Sequence, residues 1–197
     1  ASINAARMQV YFIDNDDFFQ NRLQILDEQG NEYEDNGERA IFYSRGVLET
    51  VKKLRWCPDV IHCHGWMTAL APLYIKKAYK DEPSFREAKV VISLYDDEFK
   101  QPLQEDFASK LMLKGIAKKD LVSLKKEIDY VALSKLAIEQ ADGVILQSPN
   151  INQELVEYAK SLGKPVLEYQ APEAYADACN EFYDMVMESS NSEETNE

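Results

Sequence analysis

The sequence contains no uninterrupted apolar run of about 18 residues, so no segment is expected to span a membrane. Residues 1–7 lack the hydrophobic stretch of a secretory signal. Cysteine is scarce, and Cys57, Cys63 and Cys179 follow no disulfide or metal-binding spacing, which is typical of reduced thiols. Together these absences predict a cytoplasmic protein.

Positive charge is also scarce. The chain has 22 Lys and Arg against 35 Asp and Glu, which gives a net charge of −13 and a pI near 4.7. Such a field repels phosphate backbones and anionic lipid surfaces, so we expect neither a nucleic acid nor a membrane as a partner. An uncharged ligand would meet no such barrier.

What the sequence does have is a regular alternation of strand and helix patterns. Its 197 residues fit one domain, and a hydrophobic content of 45% is enough for a core. The alternation predicts an α/β fold, with a Rossmann-like, mainly parallel sheet and helices on both faces. The domain is expected to span residues 1–188, and 189–197, which lack apolar side chains, to form a disordered acidic tail. The predicted strands are 8–13, 60–64, 90–94, 143–147 and 165–169, and the predicted helices are 39–54, 66–80, 130–140, 150–161 and 172–188.

The segment 62–67, His-Cys-His-Gly-Trp-Met, holds both histidines of the chain directly after a buried strand pattern. Polar side chains at the carboxyl end of such a strand are typical of ligand sites in α/β sheets. Strand alternation places His62 and His64 on one face and Cys63 on the other. Two imidazoles without further ligand spacing do not make a zinc site, so no metal is expected. The histidines either bond to backbone while Trp66 packs in the core, or His64 and Trp66 line a sugar-binding cleft.

Asp35, Asn36 and Arg39 form a second polar group, just before a predicted helix. One interpretation is helix capping, with Arg39 paired to a nearby carboxylate. The other is that Asp35 accepts hydrogen bonds from ligand hydroxyls across a cleft.

Four segments, in this order and spacing, resemble the amino-terminal domain of bacterial glycogen and starch synthases. The resemblance is close over roughly residues 8–80 and weaker to about residue 160. It implies one Rossmann-like half of the two-domain GT-B architecture of retaining glucosyltransferases, which move glucose from ADP-glucose or UDP-glucose onto an α-1,4-glucan. It also implies that the first strand-helix unit of the sheet precedes residue 1, and that the donor half of the architecture is absent from this chain. The segments that carry the resemblance are 11–19, 33–42, 47–50 and 58–66.

The resemblance implies a set of substrate-binding residues, namely Asp35, Asn36, Arg39, His64 and Trp66. Other positions depart from the family pattern. The synthases typically read His-x-His-Asp-Trp-His, and the resemblance implies that the final histidine lies at the reacting end of the glucan. This chain has Gly65 at the Asp position and Met67 at that final His position, and a thioether is neither an acid nor an oriented hydrogen-bond donor. A Val-His-Asn segment of the family is replaced by residues 94–97, Leu-Tyr-Asp-Asp, and the Lys-x-Gly-Gly loop has no counterpart.

The retained substrate-binding residues and these departures together predict a synthase-related domain that binds α-glucan on the acceptor side, is not catalytic on its own, and has no cofactor. The alternative is a protein-interaction or regulatory module without carbohydrate binding. In that case the last helix and the charged region 98–128 would contact a protein partner or a second copy of the chain.

Overall fold

The fold was analysed in a computed structural model, which describes residues 2–3, 7–124 and 127–189. The strands are β1 (Ser2–Ile3), β2 (Met8–Gln9), β3 (Val60–His64), β4 (Lys89–Leu94), β5 (Gly143–Leu146) and β6 (Val166–Leu167). The helices are α1 (Asp16–Phe19), α2 (Asn36–Leu54), α3 (Ala71–Leu73), α4 (Phe107–Lys110), α5 (Tyr130–Gln140), α6 (Gln153–Ser161) and α7 (Pro172–Glu188).

Four strands form one parallel sheet in the order β3-β4-β5-β6. Cys63 lies level with Ile92, and Ile92 with Val144, so the carboxyl ends of the first three strands meet at one edge. The predicted α/β fold with a mainly parallel sheet is confirmed.

The two faces of the sheet are covered by different helices. Val90 and Ile92 of β4 join the larger core, which includes residues of α2, α3, α5 and α6. Val91, between them, points the other way and packs with Cys179, Phe182 and Val186 of α7. Helices on both faces, as predicted, follow from this alternation of apolar side chains along a strand buried on both sides.

The first predicted strand, 8–13, is wrong in extent and in partner. β2 ends at Gln9 and pairs antiparallel with β1 rather than joining the parallel sheet. Tyr11 and Phe12 are 47% and 81% exposed, so two of the apolar side chains that favoured a strand there are largely open to solvent.

The predicted helix 66–80 is a helical segment of changing pitch. A 3-10 turn, Trp66–Thr68, precedes α3, and a π-helix, Tyr74–Ala78, continues it. Pro72 explains the break, because a proline has no backbone N–H to extend a preceding turn and is tolerated in the first turn of a new helix.

Most other elements have nearly the predicted bounds. α5 covers the predicted 130–140, and the described part of region 98–128 includes α4 and a 3-10 turn, Lys118–Leu121. Within the ranges that the structure describes, no helix combines the length and apolarity that a bilayer crossing requires. Of the predicted tail, residues 190–197 lie outside the described residues.

Candidate functional site

The polar residues singled out from the sequence lie toward the carboxyl edge of the sheet. His64 ends β3. Only five residues connect the end of α2 to the start of β3, so the end of α2 lies near the opposite edge. At 1.5 Å per residue the 19-residue α2 is about 28 Å long, which places its first residue, Asn36, toward the carboxyl edge.

The two histidines share a face of β3, as strand alternation predicts. Their rings stack, with 3.9 Å between the ring centres. His62 Nδ1 lies 2.6 Å from the Tyr183 hydroxyl and Nε2 lies 2.6 Å from Ser93 Oγ, so both ring nitrogens are engaged within the fold. His64 is exposed, and its Nδ1 lies 2.8 Å from the Tyr95 hydroxyl.

His62 belongs to a hydrogen-bond network that ties α7 to the sheet. Gln147, just after β5, donates from Nε2 to Ser93 Oγ at 3.1 Å and to the Tyr175 hydroxyl at 2.6 Å. The network therefore runs from Tyr183 through His62, Ser93 and Gln147 to Tyr175. It joins two tyrosines of α7 to the ends of β3, β4 and β5. Burial and the neighbouring His64 lower the pKa of His62 to about 3, so His62 is neutral at physiological pH and acts as a structural link.

Gly65, where the family pattern has aspartate, lies against a carboxylate from the next strand. Its φ is +73°, a conformation that side chains other than glycine rarely adopt. A Cβ there would lie 3.1 Å from Asp97 Oδ2. Asp97 accepts from the Trp66 backbone N–H and, at 3.3 Å, from the Tyr130 hydroxyl, and burial raises its pKa. The structure thus places a carboxylate beside residue 65 from the segment that follows β4, where the family pattern has one at residue 65 itself.

Trp66 and Met67 face inward. Trp66 is 2% exposed and its ring packs edge-on against Phe99, with 5.3 Å between the ring centres. The prediction that the Trp66 ring lines a sugar-binding cleft is therefore wrong. The indole instead packs in the core beside α5, as the alternative interpretation expected. Met67 is also buried, so the position of the family's reacting-end histidine carries an inward-facing thioether.

Arg39 is buried, at 1% exposure, and holds the loop that precedes α2. It donates to the carbonyl oxygens of Phe18 (2.9 Å), Leu23 (2.8 Å) and Gln24 (2.8 Å). It also donates to Asn36 Oδ1 at 2.8 Å. The predicted pairing with a carboxylate is therefore wrong, because backbone carbonyls of the loop satisfy this guanidinium.

Asn36 and Asp35 complete the support of the same loop. Asn36, itself 4% exposed, donates from Nδ2 to the Ile25 carbonyl at 3.1 Å. Asp35 occupies the N-cap position of α2 without a side-chain capping bond, and its carboxylate instead pairs with both terminal nitrogens of Arg22. That contact holds the pKa of Asp35 below its usual range.

Two loops at this edge enclose a groove. It lies between residues 23–36, before α2, and residues 98–104, after β4, and consists of two adjoining hollows of about 320 and 690 Å³. Glu32 and Gln101 line both hollows. The Glu32 carboxylate joins the loops by accepting from the backbone N–H groups of Lys100 (2.5 Å) and Gln101 (2.7 Å).

Sequence reasoning missed Asp97, Glu32 and Tyr183. Asp97 could have been found, because the ends of adjacent parallel strands converge and it follows β4 as Gly65 follows β3. Glu32 and Tyr183 act across 68 and 121 residues of sequence, which no local pattern reveals. Within the part of the chain that the structure describes, no three His, Cys, Asp or Glu residues are grouped to hold a metal ion.

Comparisons with known proteins identify relatives of the chain. The family model described as the starch synthase catalytic domain matches residues 1–167. A glycogen synthase of Chlorobium luteolum is 36% identical over 96 residues, which are 48% of this chain and 20% of the relative. A glycogen synthase of Photobacterium profundum is 29% identical over 161 residues, which are 82% of this chain and 31% of the relative.

A solved structure is similar as well. The catalytic domain of starch synthase IV from Arabidopsis thaliana bound to ADP and acarbose matches with a TM-score of 0.53 and 20% identity, covering 72% of this chain and 31% of that chain. At this identity the likeness supports the fold alone. The chain spans between 20% and 31% of the length of the two curated relatives named above, and α7 lies beyond residues 1–167, which the family model matches.

Substitution of Arg39 tests its role in holding the loop. Arg39→Lys keeps the positive charge but loses the planar guanidinium that donates to several carbonyls at once. Because buried carbonyls are then left unpaired, we expect the free energy of unfolding to fall by about 2 kcal/mol. Trypsin should also cut faster after Arg22. Arg45→Lys, at an exposed position on the same helix, is the control. Equal cleavage rates in the two variants would contradict this role.

The pKa of His62 predicts an acid-dependent loss of stability. Because this pKa is about 3 in the folded protein against an ordinary value of 6.5, the unfolded chain takes up the proton first as the pH falls. The stability contributed by neutral His62 is present above pH 6.5 and is lost toward pH 3. Denaturant unfolding at pH 7 and pH 4 should show wild type losing about 2–3 kcal/mol more than His62→Gln. The same pH dependence in both proteins would refute the assignment.

Proposed function

The chain belongs to the starch synthase catalytic domain family, and from this premise we propose that it binds α-1,4-glucan at the carboxyl edge of its sheet without transferring glucose. The observation that carries the proposal is a contrast within one edge. Hydrogen bonds made by the side chains of Asp35, Asn36 and Arg39 hold the loop before α2 in place. By contrast, buried Met67 occupies the position where the family has its reacting-end histidine.

Glucan binding is supported by the chemistry of the exposed groups. His64 and the Tyr95 hydroxyl, in contact at the strand ends, can donate to and accept from sugar hydroxyls. An uncharged glucan meets no electrostatic penalty from a chain of net charge −13. The matched relatives are glycogen synthases, and the similar solved starch synthase is bound to ADP and acarbose.

The predicted binding residues divide into two roles in this proposal. His64 is exposed and the Asp35 side chain is 33% exposed, so a ligand can reach both. Asn36, Arg39 and Trp66 are at most 4% exposed and act by positioning the surrounding loops and the strand end.

Absence of transfer rests on the residues of the site. Glucosyl transfer needs groups that stabilise an oxocarbenium-like transition state and the departing diphosphate. Met67 supplies no such group, and residues 94–97, Leu-Tyr-Asp-Asp, contain neither the His nor the Asn of the family's Val-His-Asn segment. Asp97 is turned to the Trp66 N–H and the Tyr130 hydroxyl, which gives it a structural role beside Gly65.

A regulatory or protein-interaction module without carbohydrate binding is the competing proposal. It predicts no response to any glucan and association of the chain with itself or with another protein. Glucan titration separates the two directly.

Titration with maltoheptaose tests the binding proposal. Isothermal calorimetry of the wild-type chain should show saturable binding, and His64→Ala should weaken it about five- to tenfold, the cost of one or two lost hydrogen bonds. Lys53→Ala, an exposed residue at the far end of α2, should bind as wild type does. A flat wild-type titration would refute glucan binding and favour the protein-interaction module.

Incubation with maltoheptaose and either ADP-glucose or UDP-glucose tests the absence of transfer. We expect no elongated glucan, because Met67 leaves the reacting end without a polar contact. Mass spectrometry of the glucan pool is the measurement. Appearance of donor-dependent octaose would contradict the non-catalytic proposal.

A further inference from the structure

The ring of His64 is held between two neighbours at the strand end. One face stacks on the His62 ring, with 3.9 Å between the ring centres, and Nδ1 lies 2.8 Å from the Tyr95 hydroxyl. Nε2 has no hydrogen-bond partner among the residues that the structure describes. Because His64 is exposed, Nε2 is the ring nitrogen that a ligand can reach.

Tyr95 presents its hydroxyl from a supported part of the backbone. Its carbonyl oxygen accepts from the Tyr130 hydroxyl at 3.0 Å, and Tyr130 is itself buried. The Tyr95 side chain is half-buried and belongs to residues 94–97, where the chain departs from the family's Val-His-Asn segment. The phenol beside His64 is therefore a group that the family pattern does not supply.

The chemistry of the two groups decides which of them donates. Burial raises the pKa of Tyr95 and lowers the pKa of His64, so both side chains are neutral near pH 7. A phenol O–H is a stronger donor than a neutral imidazole N–H, and an unprotonated imidazole nitrogen is a stronger acceptor than a phenol oxygen. Tyr95 therefore donates to Nδ1 of His64, and the one hydrogen of the neutral ring is on Nε2.

We propose that Tyr95 is a positioning residue that holds His64 in the tautomer with hydrogen on Nε2, so that His64 meets its ligand as a hydrogen-bond donor. The ligand group that such a donor binds is an oxygen acceptor, which in a neutral glucan is a hydroxyl or an ether oxygen. This inference rests on the proposed function and adds to it the direction of one hydrogen bond. The effect of Tyr95 on binding then passes through His64.

Long-range ¹H–¹⁵N NMR of the histidine rings tests the tautomer without any ligand. The full chain has only two histidines, so the His62→Gln variant identifies the signals of His64. Near neutral pH we expect Nδ1 of His64 to show the shift of an unprotonated nitrogen and Nε2 that of a protonated one. A hydrogen on Nδ1 would overturn the proposal.

Tyr95→Phe keeps the aromatic ring and removes only the hydroxyl. The Nε2 signal of His64 should then move toward the unprotonated position, because the second tautomer becomes populated. Tyr169→Phe, at an exposed tyrosine, is the matched control and should leave the signal in place. An Nε2 shift that is the same in Tyr95→Phe and wild type would show that Tyr95 does not set the tautomer.

A double-mutant cycle with maltoheptaose tests the effect on binding. By calorimetry of the full chain, we expect Tyr95→Phe to bind about threefold more weakly than wild type and to have no further effect in the His64→Ala background. Unchanged affinity in Tyr95→Phe, or losses that add in the double variant, would overturn the positioning role and leave glucan binding intact. If wild type binds no maltoheptaose, the proposed function fails and the donor role with it, while the ring spectra still decide whether Tyr95 sets the tautomer.

Discussion

The carboxyl edge of this domain depends on the burial of one guanidinium. A cation that is 1% exposed needs hydrogen-bond acceptors, because an unsatisfied buried charge is strongly destabilising. Arg39 finds three backbone carbonyls, that of Phe18 in α1 and those of Leu23 and Gln24 in the loop before α2, and one side-chain oxygen, that of Asn36. The loop is thereby folded over the helix start, where the Glu32 carboxylate can reach the backbone after β4. The groove is the space left between these two loops.

A second constraint acts where β3 and β4 end. Gly65 adopts a positive φ, and Asp97 fills the space where a side chain would stand. Met67, two residues on, is buried, and His62 is engaged with α7, so His64 is the imidazole left facing outward. The same short segment thus combines an outward-facing imidazole with a buried thioether at the position of the family's final histidine, which is the physical basis for proposing binding without transfer.

Local patterns predicted the elements whose environment is regular. β3 and α5 have the expected bounds, because a buried parallel strand and an amphipathic helix carry strong periodic signals. The first strand was mispredicted because Tyr11 and Phe12 are largely exposed, and strand formation depends on burial of such side chains against neighbouring elements. The orientation of Trp66 and the partners of Arg39 were likewise set by distant residues, Phe99 and the loop carbonyls, which no spacing in the sequence identifies.

The most direct test of glucan binding at the carboxyl edge is an NMR titration of the uniformly ¹⁵N-labelled chain with maltoheptaose, which maps every perturbed backbone amide. Binding at this edge predicts saturable shifts concentrated in residues 30–36, 64–68 and 95–104. Shifts confined to the opposite edge, around residues 54–60, would contradict the location, and a spectrum unchanged by maltoheptaose would contradict glucan binding itself.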